Sequence, residues 1–96
     1  MRTKQNTNDL LKGEITSKET IDVIFNDLEN QLLDKREIIV DLKNVSFISV
    51  YFLERLEKFI EKAQELNVHV KINSVNPNVY KVLQIRKNKE ILLALI

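Results

Sequence analysis

The chain has 96 residues, and its 15 basic and 14 acidic side chains leave a formal net charge of +1, which does not indicate a nucleic-acid or membrane partner. Hydrophobic residues make up 44%, which predicts a folded chain with one modest core. Cysteine is absent, which excludes disulfides, a thiol nucleophile and cysteine metal sites. Neither a signal-peptide pattern nor an apolar run of membrane-spanning length occurs, so we expect a cytoplasmic location.

The start of the chain predicts a leader followed by one domain. Residues 1–9 are polar and have no buriable pattern, so we expect a flexible N-terminal leader there. The remaining residues, 10–96, are expected to form a single domain. Its first element is predicted to be a short strand that ends in a turn, built around Leu10, Leu11, Gly13 and Ile15.

The next segment predicts a helix. Thr16 stands three residues before Glu19, which is the spacing of a capping box at a helix start. Apolar residues then recur every three or four positions, which is typical of a helix with one buried stripe. The predicted stripe consists of Ile21, Ile24, Phe25, Leu28 and Leu32.

Residues 37–42 form a short apolar, β-branched run that predicts a strand. Because the run is nearly continuous, we expect helices to cover both of its faces at a central position in a sheet. Asp41 lies inside this run, and we interpret it as a structural residue that caps a helix or holds the following loop. Residues 43–49 are predicted to be the connection that leaves the strand.

The clearest helical period follows, and it predicts a second helix with a charged outer face. Asn67 can end that helix in a left-handed conformation. Residues 68–72 then alternate between apolar and polar side chains, which predicts a strand with one wetter face. The predicted buried stripe of the helix is Phe52, Leu56, Phe59, Ile60, Ala63 and Leu66.

The last third predicts one more helix and one more strand. Asn76 and Pro77 are a strong helix start, since Asn caps free amides and Pro suits the first helical position. Residues 91–96 are predicted to be a final strand. The fold class is therefore α/β, a single small domain whose mostly parallel central sheet of about four strands is packed against helices. The predicted buried side of the last helix is Val79, Val82, Leu83 and Ile85.

Residues that could carry chemistry are few. His69 is the one histidine, and we interpret it as a solvent-facing strand residue because no second histidine could complete an acid–base pair or metal site. The one glycine, Gly13, excludes the glycine-rich phosphate loops. A basic cluster at residues 81–89 suits a helix C-terminus, and it lacks the interleaved aromatics of single-strand binders. We predict no catalytic residue, no metal and no cofactor.

Residues 38–49, which read Ile-Ile-Val-Asp-Leu-Lys-Asn-Val-Ser-Phe-Ile-Ser, resemble the STAS domain of bacterial anti-sigma-factor antagonists and sulfate transporters. That family has an apolar strand ending in Asp-Leu, a polar turn, and Val-x-Phe-Ile leading into a helix. Residues 11–15 resemble its Gly-Glu-Leu segment, and residues 67–83 resemble its next strand and helix. The resemblance therefore covers most of the chain from Leu10, and it implies the fold of that family.

The phosphorylation motif of that family is altered here. Antagonists carry Asp-Ser-Ser/Thr-Gly after Phe-Ile, and a partner kinase phosphorylates the second hydroxyl residue. In this chain Ser49 takes the acidic position, Tyr51 the phosphoacceptor position and Phe52 the glycine position. The sequence is closer to a STAS-like branch often found near ATP-binding domains of the histidine-kinase type. We therefore expect no serine phospho-switch.

Two functional hypotheses of different classes follow. The first is a non-enzymatic protein-binding module similar to an anti-sigma-factor antagonist, with a kinase-like ATP-binding regulator as partner; the resemblance places its partner-binding residues at Asn44, Ser46, Ser49, Val50 and Tyr51. The second is a nucleotide or small-ligand binding regulatory domain, because parallel sheets bind ligands beyond their strand ends. Its candidate ligand-binding residues are Asn73, Ser74 and Asn76. A homodimer is a third alternative. No nucleic-acid or membrane partner is expected.

Overall fold

The computed structural model describes residues 10–73, 75–85 and 88–95. The predicted leader over residues 1–9, the candidate ligand residue Ser74, and part of the basic cluster lie outside the described residues. Four strands and four helices follow in chain order within the described ranges: β1 (Gly13–Ile15), α1 (Lys18–Gln31), β2 (Glu37–Asp41), β3 (Val45–Ile48), α2 (Val50–Glu65), β4 (His69–Asn73), α3 (Pro77–Ile85) and α4 (Lys89–Ala94).

Both long helices begin at a serine cap. The side chain of Ser17 accepts a hydrogen bond from the Thr20 amide at the start of α1, so the cap lies one residue after the predicted Thr16. The predicted stripe of α1 is buried throughout. The stripe of α2 is also confirmed except at Leu66, which is 49% exposed because the helix ends at Glu65. Asn67 has a φ of 59°, the left-handed conformation expected after a helix.

All strand pairs are parallel, and the α/β class is confirmed. The strands form two pairs, β1 with β3 and β2 with β4, rather than one sheet of about four strands. The prediction that both faces of β2 are covered is wrong, because Ile39 is 49% exposed while Ile38 and Val40 are buried. The buried side chains of β2 and β4 join one core, and their opposite face is open to solvent within the described part of the chain.

The segment predicted as a connection contains β3. Leu42 accepts a hydrogen bond from the Val45 amide in a tight turn, and β3 then pairs with β1. Gly13 has a φ of +65° beside this pairing, a conformation that an L-residue adopts only with strain. The pairing brings the start of α2 next to the end of β1, since the Ser49 amide donates to the Ile15 carbonyl at 3.2 Å.

The C-terminal third contains the largest difference from the prediction. The Asn76 side chain caps α3 through the Val79 amide, as predicted, but Ile85 is 73% exposed rather than buried. Residues 91–96 do not form a strand where they are described, because α4 covers Lys89–Ala94 and begins at an Asn88 cap. Ile91 and Ala94, three residues apart, bury one side of this short helix.

We expect Leu56→Ala to destabilise the domain strongly. Leu56 is 0% exposed in the core face of α2, and its truncation leaves a cavity that typically costs ~2–5 kcal/mol. Urea unfolding followed by circular dichroism measures the change. Leu33→Ala is the matched control, because the same atoms are removed from a side chain that is 82% exposed. Equal unfolding midpoints for the two variants would contradict the assignment of α2.

The stability of the domain should depend on the buried side of α4. Ile91 is 0% exposed, whereas Leu93 is 55% exposed. Ile91→Ala should therefore lower the free energy of unfolding by ~2–5 kcal/mol, and Leu93→Ala should change it little.

Removing residues 91–96 should cause unfolding or aggregation, visible by size-exclusion chromatography and thermal melting. A shortened chain that melts with the full-length protein would refute the structural role of this segment.

Candidate functional site

The first turn of α2 carries three of the predicted partner-binding residues. Ser49 is the N-cap, and its Oγ accepts a hydrogen bond from the Phe52 amide at 3.3 Å. The Phe52 ring is fully buried beneath this turn. Val50, the first residue of the helix, is 60% exposed. The turn thus has a fixed backbone and an apolar side chain in solvent.

Tyr51 leaves the same turn sideways and reaches α1. Its hydroxyl donates a short hydrogen bond to the Asp22 carboxylate, and the ring is half-buried. The ammonium of Lys18 lies 5.6 Å from the ring centroid, within the range of a cation–π contact. The side chain at the phosphoacceptor position of the resembled motif is therefore held between two residues of α1.

Arg55, one turn further along α2, completes this contact between the helices. One guanidinium nitrogen donates to the same Asp22 oxygen at 3.1 Å, and the other lies 3.4 Å from the Asn26 side-chain oxygen. Glu29 adds a more distant ion pair at 3.8 Å. The guanidinium also lies 5.6 Å from the centroid of the Phe25 ring. We call the group of Asp22, Tyr51 and Arg55 the interhelical clamp.

The remaining predicted partner-binding residues precede α2. Asn44 and Ser46 are exposed, and the Asn44 carbonyl accepts a hydrogen bond from the Gly13 amide at 2.8 Å. Asp41 holds the turn before them, because its Oδ1 accepts a hydrogen bond from the Lys43 amide at 3.0 Å. This is the loop-holding role predicted for it. Phe47, which the sequence pattern does not mark as a site residue, is 43% exposed on β3.

Two of the candidate ligand residues, Asn73 and Asn76, lie in the described part of the chain and have structural partners. The Asn76 side-chain nitrogen donates to the Val45 carbonyl at 2.6 Å, and its oxygen accepts from the Val79 amide at 2.9 Å. The Asn73 carbonyl accepts a hydrogen bond from the Leu42 amide at 3.1 Å. Both ends of the Asn76 amide are thus engaged in joining α3 to β3.

Groups that could support catalysis are sparse in the described residues. His69 is exposed on β4, as expected, and the described part of the chain holds no group of three or more His, Cys, Asp or Glu side chains that could bind a metal ion. None of the helices within the described ranges is both long enough and apolar enough to span a membrane. The hydroxyl of Tyr51 is the side-chain donor closest to a carboxylate in this arrangement, and that carboxylate, Asp22, also binds Arg55 between the two helices.

Comparison with known proteins agrees with this architecture. A search of curated proteins gives no significant match. A family model described as the STAS domain matches residues 10–94, which is most of the chain and includes every helix and strand described above. The chain therefore belongs to the STAS domain family.

Proposed function

We propose that this STAS domain is a non-enzymatic protein-interaction module, similar to an anti-sigma-factor antagonist, that works without a serine phospho-switch. Its contact surface consists of the five residues at and before the start of α2: Asn44, Ser46, Ser49, Val50 and Tyr51. The observation that carries this proposal is the 60% exposure of Val50 on a turn whose backbone is capped and whose neighbouring side chains are held. We place the protein in the cytoplasm with a kinase-like ATP-binding regulator as its partner.

The composition of the surface suits protein recognition. Val50 is apolar and exposed, the polar residues Asn44 and Ser46 precede it in the chain, and the exposed Phe47 adds apolar area next to these surface residues. An apolar centre with a polar rim is the usual arrangement of protein interfaces. The rigid turn adds to this, because a surface that is already ordered loses less conformational entropy when a partner binds.

The interhelical clamp supports constitutive binding. A phosphate on Tyr51 would replace the hydrogen bond to Asp22 and bring roughly −1.5 to −2 charges next to that carboxylate. Ser49 is displaced by two positions from the phosphoacceptor of the resembled motif, and its hydroxyl already serves as the helix cap. The first turn of α2 is therefore organised for packing rather than for presenting a hydroxyl to a serine kinase.

We expect no stoichiometric serine phosphorylation of this surface. The test incubates the protein with ATP and a candidate kinase-like regulator, and mass spectrometry then maps modified residues. An antagonist with the intact Asp-Ser-Ser-Gly motif and its own kinase serves as the positive control. Stoichiometric phosphate on Ser46 or Ser49 that abolishes binding would overturn the constitutive mechanism.

Val50→Asp should weaken binding of the regulator by at least about tenfold, because a charge replaces an apolar contact in a desolvated interface. Isothermal calorimetry with the purified regulator measures the affinity. Leu33→Asp is the control, since it introduces the same charge at an exposed leucine that follows the C-terminal end of α1. Thermal melting shows that both variants are folded. Equal affinities for Val50→Asp and the unmodified protein would exclude this surface.

A further inference from the structure

The pairing of β1 with β3 contains one additional residue. Gly13 lies opposite Val45, whereas Glu14 lies opposite Phe47, so one step along β1 matches two steps along β3. Ser46 is the additional residue, and it has no partner in β1. Because side chains alternate between the two faces of a strand, an extra residue exchanges the faces of all the side chains that follow it.

This irregularity turns Phe47 outward. In a regular strand Phe47 would share the face of Val45, which is buried at 1% exposure. The structure instead buries Ile48, also 1% exposed, and leaves Phe47 43% exposed. The backbone register of β3 thus holds a large aromatic ring at the surface, although the core lies one position away in the chain.

A carboxylate lies beside this ring. Glu14 is the register partner of Phe47, and paired residues of neighbouring strands share a face with their backbones about 4.8 Å apart. Glu14 is also exposed. It forms no ion pair with another described residue. The outer face of β1 and β3 therefore presents an aromatic ring and an unpaired negative charge side by side.

An aromatic ring next to a carboxylate is complementary to an arginine side chain. The planar guanidinium stacks on aromatic faces and donates hydrogen bonds to carboxylates, whereas the lysine ammonium is a compact and strongly hydrated charge. The core side of this protein already contains the same combination. The Arg55 guanidinium lies 5.6 Å from the centroid of the Phe25 ring and 3.1 Å from the Asp22 carboxylate.

We propose that Phe47 and Glu14 bind an arginine side chain of the partner protein and are specificity-determining residues of the interaction. The guanidinium stacks on the Phe47 ring and pairs with the Glu14 carboxylate. This inference rests on the proposed function, because Ser46, a residue of the proposed contact surface, directly precedes Phe47 in the chain. It adds the chemistry of the partner, which must present an exposed arginine.

The first probe is the blocked peptide acetyl-Gly-Arg-Gly-amide, titrated into ¹⁵N-labelled full-length protein. The Glu14 and Phe47 amides should shift saturably, and the corresponding lysine peptide should bind about two- to fivefold more weakly, the contribution of stacking at an exposed site. Phe47→Leu should remove the preference for arginine. Tyr80→Leu is the matched control, because Tyr80 is 42% exposed, and it should keep the preference. Equal binding of both peptides, or shifts confined to other residues, would overturn the proposal.

The second probe is the purified kinase-like regulator, measured by calorimetry. Phe47→Leu and Glu14→Gln should each weaken its binding about two- to fivefold. Their double variant should lose less than the product of the two losses, because both side chains contact one guanidinium. Glu65→Gln, at the far end of α2, is the control for the charge and should bind as the unmodified protein does.

Comparison with Val50→Asp separates this proposal from the proposed function. If Val50→Asp weakens binding of the regulator while Phe47→Leu and Glu14→Gln do not, the arginine site is wrong and the contact surface stands. If none of the three variants changes the affinity, both are wrong. Thermal melting of each variant shows that it is folded under the conditions of the titration.

Discussion

The burial of Phe52 beneath the first turn of α2 is the contact on which the rest of the candidate site depends. Its ring centroid lies 5.1 Å from that of Phe25, at an interplanar angle of 66°, and Phe25 also contacts Phe59. Edge-to-face pairs of this kind contribute ~0.5–1.5 kcal/mol beyond the area they bury. Glycine stands at this position in the resembled antagonists, where no side chain anchors the turn inward. In this protein the start of α2 is fixed by packing.

The directions of the neighbouring side chains follow from that anchor. Successive residues of a helix are rotated by about 100°, so when Phe52 points inward, Tyr51 points towards α1 and Val50 points to solvent. Tyr51 and Arg55 are one turn apart and therefore reach the same carboxylate, that of Asp22. The exposed valine is thus a consequence of how the core and the interhelical clamp use the other positions of the turn.

The sequence predicted those parts of the fold whose pattern is periodic and long. The stripes of α1 and α2, the alternation in β4 and the Asn-Pro start of α3 each repeat or combine several local signals, and the structure confirms them except at Leu66. The strand predicted for residues 91–96 is wrong because Ile91 to Leu95 is a continuous apolar run, and periodicity cannot separate a short buried helix from a strand in such a run. The predicted coverage of both faces of β2 is wrong because a continuous apolar run does not show which face is buried, and Ile39 is apolar yet faces solvent.

The interhelical clamp could not be predicted from the local sequence pattern. Asp22 lies 29 residues before Tyr51 and sits on the face of α1 that the stripe assigns to solvent, so only the packing of α1 against α2 reveals its role. Both of its hydrogen-bond donors come from the other helix, and an apolar side chain at this position would leave the Tyr51 hydroxyl without this acceptor and Arg55 with only Asn26 and Glu29. This position distinguishes Asp22 from an ordinary surface carboxylate, because it accepts hydrogen bonds from two donors of the other helix at a partly buried contact and so holds Tyr51 in the first turn of α2 against α1.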